Sequence, residues 1–137
     1  MGRASYCDDL DHRALAMWRG AVASGLRGAR GQSFLREAIA VMDAMPEKVL
    51  VDSALEADGA YCTLGVVGAA RGVNLAAIDP DDHHEVARQF NLSDAAAREI
   101  MFENDEGGHY NEQPAVRWGR MRAWLASKLN DPVSATS

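Results

Sequence analysis

Apolar positions recur every three or four residues over most of this chain, and that spacing predicts a largely helical protein. Leu15, Trp18, Val22 and Leu26 form one such stripe, and Asp11 stands where it can cap a helix running to about Leu26. Gly28 and Gly31 bracket a short turn, Gly-Ala-Arg-Gly, that ends it. A second helix follows to about Met45, with Phe34, Leu35, Ile39, Met42 and Met45 on one stripe, and Pro46 stops it. So short a connection predicts that the two helices pack antiparallel.

The period then changes. Val49–Val51 and Ala60–Cys62 flank a turn at Asp58-Gly59, where glycine accepts positive φ without strain, so a β-hairpin is expected. A two-stranded ribbon is marginal alone and must lie against the helices. Residues 63–71 read either as more strand or as a short helix ended by Gly72. Leu64, Val67 and Ala70 would share a helical face, which favours helix, although Gly65 and Gly68 weaken it. Asp79 is expected to cap the next helix with Pro80 in its first turn, ending near Phe90. Ser93 caps another to about Asn104, Asp105–Gln113 is a polar loop, and Pro114 opens a last helix to about Leu129. Trp118, Met121, Leu125 and Leu129 point inward on it, and residues 130–137 form a tail. The expected fold is α+β but mostly α: one domain over residues 1–137, of five to six helices with one small antiparallel hairpin.

Composition changes little in this picture. With 137 residues, 47% of them hydrophobic, the chain has material for one core and is not of disordered type. It has no apolar run of the roughly 20 residues that a spanning helix needs. The first residues carry no leader pattern, and Arg3 and Tyr6 fit the myristoylation signal at Gly2 poorly, so a cytoplasmic protein without a membrane partner is expected. Cys7 and Cys62 are expected to be reduced.

Charge is more informative. The net charge of −6 is unevenly spread: residues 1–45 sum to +1, residues 46–114 to −10, and residues 115–137 to +3. The plain reading is that the basic ends pack against the acidic middle and relieve its repulsion. The sharper reading is an acidic face that meets a basic partner.

The best-formed local motif is Glu85–Met101. Ala87, Phe90, Leu92, Ala97 and Ile100 fall where a helix-turn-helix packs its two helices, and Asn91 stands at the turn, where it tolerates the left-handed conformation. Its candidate DNA contacts are Arg88, Asp94 and Arg98, but Asp79, Asp81, Asp82, Glu99 and Glu103 surround them and repel phosphate. Arg117, Arg120 and Arg122, with Trp118 and Trp124, form a candidate basic patch, and Arg19, Arg27, Arg30 and Arg36 surround the first helix pair. Arginine stems covering core tryptophans are the simpler account of the patch. Glu103, Asp105, Glu106 and His109 make an acidic segment at a helix C-terminus, where it opposes the macrodipole; this oddity makes it the candidate partner-contact site.

Nothing points to a metal or cofactor. His83 and His84 are adjacent and diverge by about 100° on a helix. No nucleophile elbow, phosphate loop or dinucleotide fingerprint is present. An enzyme would need a site assembled from distant residues, for example His109, Glu103 and Arg71.

Several blocks together resemble a family of short uncharacterised proteins found in bacteriophages and bacterial genomes. They are Gly2–Tyr6, Arg30–Glu37, Met45–Lys48, Asp58–Gly65, Asp79-Pro80, Glu103–Glu106 and Arg117–Trp124, spread over nearly the whole chain. The resemblance implies a phage or prophage setting and carries no activity, cofactor or site residue with it. The expected function is therefore a non-enzymatic accessory protein that binds a host or phage macromolecule, with interference in host defence as a concrete version. A protein partner is favoured over nucleic acid, and a homodimer is compatible with the hairpin's free edge. A helix-turn-helix regulator and an enzyme are the alternatives.

Overall fold

The computed structural model describes residues 12–130. Among these, six α-helices, one 3-10 turn and one two-stranded hairpin follow in order: α1 (His12–Arg27), α2 (Ala29–Ala44), β1 (Glu56–Ala57), β2 (Ala60–Tyr61), α3 (Thr63–Ala70), the 3-10 turn Leu75–Ala77, α4 (His83–Gln89), α5 (Asp94–Glu106) and α6 (Pro114–Ser127). The mostly helical α+β class is what the periodicity predicts. Asp11, Cys7 and the tail beyond residue 130 lie outside the described residues. No described helix is long and apolar enough to cross a membrane.

α1 and α2 are separated by Gly28 alone, so the four-residue turn expected there does not form. Gly31 instead sits buried in the first turn of α2, where a Cβ would lie 2.2 Å from the Gly25 carbonyl oxygen and 2.6 Å from that of Leu26. Glycine is needed for close approach of two backbones, not for a loop. α2 ends before Met45, and Lys48 folds back so that its ammonium donates to the Asp43 carbonyl at 2.7 Å, complementing the negative end of the helix.

The hairpin is shorter than expected. Asp58 and Gly59 both have positive φ, 52° and 81°, the geometry that matches the twist of two tightly joined strands. Glu56 pairs with Tyr61 and Ala57 with Ala60. Val49–Val51 is not a strand: it contributes one bond to the hairpin, from Val51 N to Tyr61 O at 2.9 Å, before turning away. Ser53 takes φ of 61° in that turn and donates its N–H to Asp105 Oδ1 at 3.0 Å, which holds the unfavourable conformation.

α3 is the helix that the glycines seemed to oppose. Residues 63–68 are all buried, so a helix apolar on every side suits the site. At Gly65 a Cβ would stand 1.9 Å from the Leu55 carbonyl oxygen, and at Gly68 it would press 2.7 Å from Leu75 Cδ2 and 3.1 Å from the Phe90 ring. The helix ends at Gly72, φ 76°, with Val73 N bonded to Gly68 O and Gly72 N to Ala69 O, the paired closure of a left-handed C-cap. α4 ends in the same way with Asn91 as the left-handed residue: Leu92 N bonds Ala87 O at 2.9 Å and Asn91 N bonds Arg88 O at 3.3 Å. α4 begins at His83 and is capped by Asp82, not by Asp79; Asp79 and Pro80 form a separate turn ahead of it, with Asp82 N bonded to Asp79 O.

α5 is the centre of the domain. It touches α1, α3, α4 and α6, and Ala95, Ala96, Ala97, Ile100, Met101 and Asn104 are buried along it. Ser93 caps it as expected, its Oγ accepting from Ala96 N at 3.1 Å. It reaches Glu106, two residues beyond the expected end. Burial of Ile100 and Met101 alone is worth roughly 1.5–3 kcal/mol each.

Candidate functional site

Two arginines of α6 organise the polar junction between its N-terminal half and the C-terminus of α5. Arg117 is 5% exposed; its Nε donates to Asn104 O and its Nη1 to Leu50 O, both at 3.1 Å. Arg120 grips Glu112 with a two-pronged contact, Nε to Oε2 at 2.7 Å and Nη2 to Oε1 at 2.9 Å, while its Nη1 donates to Glu103 O at 2.7 Å. Two guanidinium groups therefore meet the last carbonyls of α5, which answers the oddity of an acidic C-terminus: the compensating charge comes from another helix. Asn104, 1% exposed, completes the junction by accepting from Thr63 N and Oγ1 and donating to Val51 O.

This geometry corrects two sequence assignments. Arg117, Arg120 and Arg122 are not a surface patch: Arg117 is buried, Arg120 is bound to Glu112 and Glu103, and Arg122 pairs with Asp43 through Nε and Nη2 at 2.9 Å each. Nor is Glu103 an open contact residue. It is partly buried 3.7 Å from Arg120, and burial pushes its carboxyl above the usual range against the pull of Arg120 and Lys128. Glu112 moves the opposite way, held low chiefly by its hydrogen bond from Arg120. Asp105 serves Ser53 N and the Asn104 amide, both through Oδ1. Only Glu106 and His109 of the four remain exposed, beside Tyr110, which is 97% exposed.

The helix-turn-helix pair has the expected turn but not a free second helix. On α5 only Asp94 and Glu106, at its two ends, are exposed, whereas a helix that enters a DNA groove needs an open face. Arg98 lies 4.5 Å over the Trp18 ring of α1, and Asp94 Oδ2 meets His84 Nδ1 at 2.5 Å. Arg88 is exposed on α4. The His83 and His84 rings lie 4.6 Å apart, tilted by 39°, and burial, then Arg98, holds the His83 pKa below its usual value. Among the described residues no group of three or more His, Cys, Asp or Glu converges as metal ligands would. His109, Glu103 and Arg71 are not gathered either: Arg71 pairs with Glu37, Nε to Oε2 at 2.9 Å.

The concave feature with the clearest binding character was not visible in the sequence. A cleft of about 450 Å³ opens between the end of α2, the hairpin and the last turns of α3, within the range of small-ligand and side-chain pockets. Val41, Met45, Val49, Tyr61, Val66 and Ala69 give it apolar walls, and Glu47 is the one acid among its lining residues. Glu56 and Asp58 project from the hairpin that forms one wall, both exposed. The cations nearest in sequence are spoken for, Lys48 by the α2 carbonyls and Arg71 by Glu37. The result is an apolar hollow beside unneutralised carboxylates. No periodicity could announce it, because its walls come from three elements more than 20 residues apart in places. Family models, curated proteins and solved structures contain no match to this chain.

Proposed function

We propose that this chain is a non-enzymatic binding protein of phage or prophage type, which docks a protein partner in the cleft between α2, the hairpin and α3. The observation that carries the reading is the pairing of an apolar hollow with Glu47, Glu56 and Asp58, none of which has a side-chain partner among the described residues. The chemistry that fits is a basic segment presenting one aliphatic or aromatic side chain: burial supplies affinity, and the carboxylates supply orientation and a faster, salt-dependent encounter. Basic surfaces of that kind are common on nucleic-acid-binding proteins, so a host-defence component is a concrete partner class. The burial of α5 and the stacking of Arg98 on Trp18 support a protein target over DNA.

Selection from a displayed random-peptide library tests this. Enriched peptides are expected to be basic with an apolar anchor, to weaken as salt is raised, and to lose at least about tenfold in affinity against Ala69→Trp, which fills the cleft. The triple reversal Glu47→Lys, Glu56→Lys, Asp58→Lys is expected to favour acidic peptides instead. Binders indifferent to both variants, or a selection that yields none, would refute the proposal.

A further inference from the structure

We infer that a second cleft, formed by α1, the end of α6 and Glu99 of α5, binds a small organic phosphate with an apolar or aromatic body. The cleft measures about 460 Å³ and is separate from the one above in every lining residue. Arg19, Arg27 and Lys128 line it against Glu99, and Val22 and Leu26 provide an apolar floor. Three cations, Arg19 from the middle of α1 and Arg27 and Lys128 from the C-terminal ends of α1 and α6, line one hollow in a chain whose net charge is −6, so their clustering runs against the overall balance.

Basic side chains near helix C-termini ordinarily serve as caps or complement the dipole. Here amides do the capping. Gln32, 4% exposed, donates through Nε2 to Leu26 O at 2.8 Å and Lys128 O at 3.0 Å, and its Oε1 accepts from Asn130 N at 2.8 Å. Asn130 Nδ2 donates to Arg27 O at 3.1 Å. The Arg27 guanidinium is thus left without a hydrogen bond or ion pair among the described residues, as is that of Arg19 in the middle of α1, and both residues are exposed. The Lys128 ammonium rests 5.7 Å over the Trp124 ring, a contact that leaves its three N–H donors unused by any carboxylate among the described residues.

A planar guanidinium fork matches phosphate oxygens, and two forks with an ammonium suit a dianionic group. The apolar floor suits a ring or aliphatic body.

Titration of the full chain with adenosine monophosphate, inorganic pyrophosphate and a short DNA duplex, followed by calorimetry and amide chemical shifts, tests the assignment. Adenosine monophosphate is expected to bind with shifts centred on residues 19–27 and 127–130, and to weaken about tenfold for each of Arg19→Ala and Arg27→Ala. Both substitutions are on exposed positions, and circular dichroism will show the fold intact. Absence of binding up to about 10 mM, or binding unchanged in the double variant, overturns the site. Pyrophosphate binding as tightly as the nucleotide overturns the organic body, and tighter binding of the duplex overturns the small-molecule class. Ala69→Trp is expected to leave this binding unchanged, so failure here and failure of the protein-docking cleft are separate results.

Discussion

Replacing Arg117 by Met removes a buried guanidinium while keeping a side chain of similar length. Two carbonyl bonds of 3.1 Å disappear, to Asn104 O and Leu50 O, together with a longer one of 3.4 Å to Glu112 O, the 3.3 Å contact to the Glu112 carboxylate and the 3.9 Å contact to exposed Asp52. The losses are unequal. Asn104 O keeps a donor in Arg120 Nη2 at 3.3 Å, and Glu112 keeps its two-pronged contact with Arg120. Leu50, 0% exposed, loses the donor to its carbonyl. A buried acceptor left bare costs about 1–3 kcal/mol, and a lost bond to a charged donor about 1.5–3 kcal/mol, so the variant is expected to lose about 3–5 kcal/mol. For a domain of this size that is a fall in Tm of roughly 10–15 °C. Arg122→Met supplies the control: its pair with Asp43 is solvent-exposed and is expected to contribute no more than about 1 kcal/mol. Urea unfolding followed by circular dichroism measures both. If Arg117→Met loses no more than Arg122→Met, the junction is not what holds α5, α6 and the Leu50 segment together.

Further expectations follow from particular contacts. Gly65→Ala, whose Cβ would meet the Leu55 carbonyl oxygen at 1.9 Å, is expected to unfold or severely destabilise the protein, while Gly119→Ala, whose Cβ meets nothing, should gain about 0.5–1 kcal/mol; thermal melts compare them directly. Asn91→Ala places a Cβ-bearing residue at φ 55° without the local hydrogen bonding that lets Asn adopt it and should cost about 1 kcal/mol, whereas Asn91→Gly should be tolerated. Arginine contacts hold the carboxyls of Glu37, Asp43 and Glu112 low, so the stability they add is complete above the ordinary carboxylate range and is lost as pH falls through their folded values. Glu103 runs the other way, raised by burial: Glu103→Gln should stabilise the protein at neutral pH, an advantage that vanishes on acidification, as a series of urea midpoints against pH will show.

Helices, caps and turns were legible in the sequence because each rests on local chemistry. Ser93 at the start of α5, Pro114 at the start of α6, Asn91 in its left-handed turn and the Asp58-Gly59 hairpin all stand where their side chains or dihedral freedom predict. Errors arose where a long-range contact decided. Gly28 and Gly31 look like a loop until the proximity of the Gly25 and Leu26 carbonyls is known. Residues 63–71 are helical as favoured; Gly65 and Gly68, which weaken that reading locally, each admit a neighbour that a methyl group would exclude. Arg117 and Trp118 are adjacent on an amphipathic stretch, and nothing local says that the arginine goes inside; that depends on Leu50 and Asn104, distant in sequence. The segregation of charge was visible, as was the packing of a basic end against the acidic middle; which residues meet was not. Basic residues of α6 do reach acidic residues of the middle, through Arg117 to Asp52 and Glu112 and Arg120 to Glu103 and Glu112, while Glu47, Glu56 and Asp58 stay outside that exchange.

The central place of α5 has a consequence for how the domain comes apart. A helix surrounded by α1, α3, α4 and α6 cannot fray sideways without loosening all four, so its amides should exchange with solvent deuterium only when the entire molecule opens. The hairpin, by contrast, meets mainly α3 and can breathe on its own, so its amides should exchange well before those of α5.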